Sequence, residues 1–395
     1  MKINTTNYSN RELLALILIG ITGSAAVNIL PFIVNAFANS AELNVAEASE
    51  IASIELLGLS ITGICYRFWK QLGSAKTQVM LGIILYCLGN LALVLTTYIG
   101  EGFSTWAVWR LVAGIGAGMA SAVAFAAIAR QNNPDGIFAI LVFFQVLWSA
   151  LGSFLMPILM ETISWNSSFS YILLFGLIAL AVAYLWSPDY NQEVYRSSDA
   201  VYSEDAFNQT LILVASGIWY IALGLFWGDS AQTGDEIGAS PVLIGTIFAF
   251  GYLVSLSGNG IALWLSYRTD RKLPLMISGA IHAGVYMLFT LSEVFADVYM
   301  YTFAVLLFSL SWAVFTPFQI GLFSSVKSDG SFATNFLPCS IVGILIGTAL
   351  GPVFNNDQKL WLAIISIAVC LALYQWYMQR QKYGMNEMPD SSLDY

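Results

Sequence analysis

The sequence predicts an all-α membrane protein: twelve transmembrane helices in two pseudo-symmetric six-helix bundles, with both termini cytoplasmic. Three observations carry that expectation. Hydrophobic residues make up 58% of the 395 residues and charged residues only 10%, against roughly 25% charged in soluble domains. The apolar residues come in long continuous runs, and a bilayer core needs about 20 of them per helix. Such runs read as helices rather than as the alternating strands of a barrel. Finally, the polar, acidic stretch SPDYNQEVYRSSDAVYSEDAFNQ separates six runs from six.

The N-terminal bundle takes residues 1–186. Its spans are expected at 12–37, 46–67, 77–98, 103–129, 136–162 and 168–186. The first is too long for the core of a cleavable signal peptide and stays as a span. It carries Ser24, Asn28 and Asn35 on one stripe. The second carries Glu55 about 13 Å from its outer end, and Glu50, read as a solvated end residue. The fourth carries Arg110 about 10 Å from its outer end, followed by Gly114, Ala117, Gly118 and Ser121 on the same face, small residues that let another helix approach. On the fifth, Gln145, Trp148, Ser149 and Gly152 share a face.

Residues 187–207 form a cytoplasmic linker, and residues 208–380 the second bundle. Its spans are expected at 208–228, 241–266, 273–293, 297–323, 331–354 and 359–379. The seventh span places Tyr220 and Trp227 on one face, with Asp229 as a solvated helix end. The eighth carries Asn259 with Ser255 and Ser266. The ninth holds His282, read as a packing histidine. The tenth repeats Trp312, Phe315, Thr316 and Gln319 at helical spacing around Pro317. Residues 381–395 are read as a disordered cytoplasmic tail. Nearly all basic residues near span ends fall on the side of the termini, Lys359 being the exception, which places that side in the cytoplasm. The two halves echo each other weakly: Gly152 precedes Pro157 by five residues, as Gly347 precedes Pro352. Such repeats belong to secondary transporters with a midplane site.

Composition also excludes. A net charge of −9 and an isoelectric point near 4.6 argue against nucleic-acid binding. Cys65, Cys87, Cys339 and Cys370 are scattered and read as buried free thiols, with no metal site. There is no P-loop, HExxH or GxSxG motif, so neither enzymatic activity nor a cofactor is expected, and energy would come from an ion gradient.

With six plus six spans, a polar central loop and cytoplasmic termini, the chain resembles the major facilitator superfamily. The most specific local match is RLVAGIGAG, with Arg110, Gly114, Gly116 and Gly118. The family's GxLaDRxGRR loop is reduced to Gly63, Gly73 and Lys76 after the second span, and to Arg271 and Lys272 after the eighth. Neither copy has the early aspartate of the family's charge-relay gate. Met156-Pro157 stands where the antiporter motif has Gly-Pro. The resemblance implies a monomeric inner-membrane (plasma membrane) transporter working by alternating access, with the first, fourth, seventh and tenth helices lining a cavity.

Asn28, Glu55 and Arg110 are expected at one depth. Arg110 then either anchors an anionic solute or pairs with Glu55 as a proton-coupling site; a permanent structural ion pair is the plainer alternative. Candidate substrate-binding residues are Asn28, Arg110, Gln145, Trp148, Tyr220, Asn259, Trp312, Phe315 and Gln319. The expected partners are a small organic solute, protons and the lipid bilayer. A drug-type proton antiporter is the alternative within the class; a non-transporting sensor or a lipid mover lies outside it.

Overall fold

A computed structural model describes residues 8–40, 43–186, 203–327 and 329–386. Most of the predicted linker and the last nine residues of the tail lie outside the described residues, as do the side chains of Trp227 and Asp229.

The chain opens with α1 (Asn10–Asn28), whose first turn is closed by Ser9 and Glu12 bonding each other's backbone. The predicted first span is two helices. Pro31 has no N–H to give Val27, so α1 stops and α2 (Leu30–Ala38) restarts after Ile29. Asn35 therefore sits on a separate segment, where it accepts a hydrogen bond from Asn39. Next come α3 (Val45–Ile64), α4 (Tyr66–Trp69), α5 (Ala75–Val94), α6 (Thr96–Ile99), α7 (Phe103–Ala129), α8 (Pro134–Thr162) and α9 (Phe169–Trp186). The second half contains α10 (Ser203–Glu236), α11 (Pro241–Ser266), α12 (Lys272–Phe295), α13 (Val298–Ser324), α14 (Phe336–Leu350) and α15 (Asn356–Asn386). The last helix continues past 379, so residues 381–386, assigned to a disordered tail by composition, are helical. Pro157 lies inside α8, whereas its counterpart Pro352 follows the end of α14.

Among the described residues there are no strands, and eleven helices are long and apolar enough to cross a membrane. The expected twelfth is α3. It has 20 residues but carries Glu47, Glu50 and Glu55. Glu47 closes a capping box with Asn44, and Glu50 is exposed. Only Glu55 is drawn into the protein.

Small residues set the packing of the first half. A Cβ on Gly114 would strike the backbone of Glu55, and Gly118 faces Leu59 and Thr62, so α3 lies close along α7. Gly20 meets Ala124 and Phe125 while Gly23 meets Ser121, so α1 runs antiparallel to α7. In the second half Gln319 of α13 and Ser325 at its end bond Tyr374 and Tyr377 of α15, so these two helices run parallel. Gly330, just after α13, touches Ala126 and Ala129 at the end of α7. The start of α1 and the end of α15 thus lie on one face, called here the termini face.

Candidate functional site

Arg110 is fully buried, and it forms an ion pair with Glu55, itself 1% exposed. Its Nη1 donates to Asn90 Oδ1 at 3.4 Å, and Asn90 in turn donates to Tyr86 O at 2.8 Å. The guanidinium lies 5.6 Å from the centre of the Phe169 ring. Phe169 belongs to a knot of four rings with Phe37, Trp106 and Trp165, whose centroids stand 5.0 to 6.4 Å apart. Trp106 is one turn from Arg110 toward the opposite face, and its Nε1 is tied to Thr96 Oγ1. The pair is therefore sealed on that side by aromatic carbon. Glu55 Oε1 and Arg110 Nε have no hydrogen-bond partner, so this desolvated cluster is incompletely satisfied.

The geometry separates Asn28 from Arg110. Asn28 Oδ1 accepts from Gln145 Nε2 at 3.2 Å, and Asn28 Nδ2 is unpartnered. Trp148 donates to Ala25 O, stacks on Tyr171 at 3.9 Å, and lies on the same face of α8 as Gly152, which touches Ile29. The predicted face of the fifth span thus grips the end of α1.

In the second half the predicted residues divide. Tyr220 donates to Gln319 Oε1, Gln319 donates to Tyr374, and Tyr374 shares a hydrogen bond with Ser216, so one buried chain joins α10, α13 and α15. Phe315 instead stacks on Trp219 at 3.9 Å, against His282. His282 accordingly packs among rings, with Nδ1 on Ser278 O. Asn259 donates to Ser255 O, beside α13. Trp312 is half-buried, and the Thr316 hydroxyl is buried without a partner.

Two ion pairs join the halves at the termini face. Lys70 meets Asp329 at 3.1 Å, and Arg271 Nε donates to both oxygens of Asp135 at 2.8 Å. Asn133, which caps α8, also donates to Ser266. Each ion pair sets a cation from the loop after the second or eighth span against a carboxylate near the loop after the tenth or fourth. The two pairs are pseudo-symmetry mates. Gln78 steadies the first loop by donating to the carbonyls of Trp69, Lys70 and Leu72. Burial pushes the Asp329 carboxyl up, but hydrogen bonds from Ser331 and the charge of Lys70 outweigh it, leaving Asp329 below the usual carboxylate range. Below Asn28, Leu337 and Pro338 press against Gly23 and Gly63. The void left there is about 10 Å³, lined also by Ser121 and Phe125, and holds at most one water. A cavity of about 120 Å³ opens at the opposite face between α10, α12 and α15, lined by Thr233, Glu293 and Lys359 among others and by none of the predicted site residues.

The sequence profile of the Major Facilitator Superfamily matches residues 13–334. The chain belongs to that superfamily. It is a multi-pass membrane transporter, with the family's fold. No curated protein sequence matches it. Among solved structures, the proton:xylose symporter XylE bound to 6-bromo-6-deoxy-D-glucose superposes with a TM-score of 0.78 at 12% identity, covering 93% of this chain and 94% of that one. FucP in its outward conformation gives 0.71 at 15% identity, covering 92% and 98%; a related structure names it the E. coli fucose:proton symporter. The human organic anion transporter TETRAN gives 0.68 at 13% identity, covering 93% and 98%. At these identities the likeness is one of fold.

For this superfamily member, sequence reasoning missed Asn90, Trp219, Tyr374 and, of the four ion-pair residues at the termini face, all but Arg271. Asn90 did carry a signal, as a lone amide in the apolar run CLGNLALV. Asp135 and Asp329 carry no local signal, because their meaning depends on which loops meet across the interface.

Proposed function

We propose that the protein is a proton-coupled secondary transporter of the inner membrane, moving a small organic solute by alternating access of its two halves. In this reading α3 is the twelfth span, with the termini face cytoplasmic, as the basic residues argue. The form described is then closed to the cytoplasm by its paired ion bridges and by Leu337 and Pro338.

The observation that carries the coupling is the Glu55–Arg110 pair. One carboxylate oxygen engages the guanidinium and the other has no partner. Burial disfavours the charged form while Arg110 favours it, so a small rearrangement of α3 or α7 can decide whether Glu55 holds a proton. Asn28, Gln145, Tyr220, Gln319 and Trp312 are the proposed solute-binding residues. Arg110, already paired with Glu55 and covered by the Phe169 ring, acts on Glu55 rather than on solute. Trp148, Asn259 and Phe315 support neighbouring helices.

The test is solute-evoked proton movement in proteoliposomes, read by an internal pH dye across a panel of sugars, polyols and aromatic metabolites. Wild type should acidify or alkalinise with its solute. Glu55→Gln should lose that signal while still exchanging labelled solute across the membrane. Unchanged proton movement in Glu55→Gln would remove Glu55 from the coupling.

A further inference from the structure

We infer that the solute carried is electrically neutral, an uncharged molecule recognised through hydroxyl or amide groups. This rests on the transport reading above and adds the chemical class of its cargo. The floor of the path lies where Leu337 meets Gly23 and Ser121. Asn28 stands five residues further along α1, about 7.5 Å above that floor. It and Gln145 are half-buried rather than sealed. They form an amide shelf in which Asn28 Nδ2 is itself buried and has no hydrogen-bond partner.

No charge accompanies that shelf among the described side chains. Among the described side chains, the carboxylate, guanidinium and ammonium groups more than six residues from the end of their helix are Glu55 and Arg110, and His282 is packed among rings. Glu55 and Arg110 neutralise each other, and the four-ring knot covers them. The Tyr220–Gln319–Tyr374–Ser216 chain on the other side is likewise uncharged. Asp229, whose side chain is outside the description, stands seven residues from the end of α10 and lies outside that set. A lone charge taken from water to this depth would meet no counter-charge among the described side chains, and such burial is expensive. Amides and hydroxyls, by contrast, reward a solute that brings complementary donors and acceptors and reject one that lacks them.

The test reads the local potential directly and needs no identified solute. Cys65 and Cys339 are first replaced by alanine, and Asn28→Cys and Gln145→Cys are made separately in the full chain. Each thiol is then modified with hydroxyethyl, sulfonatoethyl or trimethylammonioethyl methanethiosulfonate. Rates are divided by those of a free thiol of the same kind in solution. A free unit charge about 6 Å away, at an effective dielectric of about 20, would speed one charged reagent and slow the other by on the order of 100-fold each. The inference expects the anionic and cationic reagents to agree within about threefold, with the neutral reagent at least as fast as either. A charged reagent more than tenfold ahead of the neutral one would overturn it. So would thiols inert to all three reagents at both positions in proteins of unchanged Tm, because the shelf would then lie off the path. Failure of the proton assay with these rates intact would overturn the coupling and leave the neutral path standing.

Discussion

Arg110 shows how an ionised side chain is kept inside an apolar helix. Glu55 supplies the opposite charge, Asn90 a hydrogen bond and Phe169 a ring face. Removing one partner of such a pair leaves the other uncompensated, at a cost of about 3–5 kcal/mol. Arg110→Ala should therefore lower Tm more than Glu55→Gln, which keeps a hydrogen-bonding group and only removes the charge. Thermal unfolding in detergent checks the order; equal losses would mean that the pair contributes no more than volume. The gate carboxylate behaves differently. Asp329 is held below the ordinary value near 3.9. A depressed pKa stabilises the paired form fully above that ordinary value, and the gain is lost as pH falls through the lower folded one. The Lys70–Asp329 bridge should thus be indifferent to pH between about 5 and 8, and Asp329→Asn should weaken closure equally at both ends of that range. A label pair across the termini face, followed by electron spin distance measurements, would show it. If the proton switch lay in this bridge, the wild-type distance would itself move over that range.

At the scale of elements, the α3–α7 contact places Glu55. Gly114 has no room for a Cβ because the Glu55 backbone occupies it. Gly114→Val should push α3 away, with an overpacking cost of about 1–3 kcal/mol, and abolish coupling while leaving the termini gate intact. Much of this was legible beforehand. The small residues after Arg110 predicted a close helix. The similar depths of Glu55 and Arg110 on two helices made their pairing one of the expected readings, beside a solute anchor, and the ion pair is the contact that forms. Asn28 was legible in depth but not in direction, since one period of helix cannot say which neighbour a face will meet. The break at Ile29 turned on a single missing donor at Pro31. The aromatic stripe of the tenth span was read as one surface. It serves two, because Phe315 and Gln319 face different partners.

For the whole molecule, alternating access needs locks that hold and yet release. The two bridges at the termini face are partly exposed, with side-chain exposures of 13% and 7% for one and 23% and 13% for the other. Exposed pairs contribute about 0–1 kcal/mol each, and in part-buried ones like these desolvation offsets much of the extra attraction. The net is small beside the roughly 2.3 kcal/mol per 100 mV that a proton gains crossing the membrane. Asp135→Asn with Asp329→Asn should therefore shift the protein toward a form open at the termini face without unfolding it, seen as a longer label distance there at unchanged Tm. An unchanged distance would mean that Leu337 and Pro338 alone hold the floor. The all-helical membrane fold was readable from the apolar runs, and eleven helices among the described residues are long and apolar enough to cross a membrane. The paired bridges were not, because they join loops some 136 and 259 residues apart, and no local pattern encodes which loops will meet.

The proton-coupling role of Glu55 is most directly tested without any solute, by infrared difference spectra of membrane-embedded protein between about pH 5 and pH 8. The carboxylic acid C=O band of a desolvated side chain should appear on acidification in wild type and vanish in Glu55→Gln, with its midpoint displaced in Arg110→Ala. A band that persists unchanged in Glu55→Gln would show that the proton binds elsewhere and that the buried pair is a permanent brace.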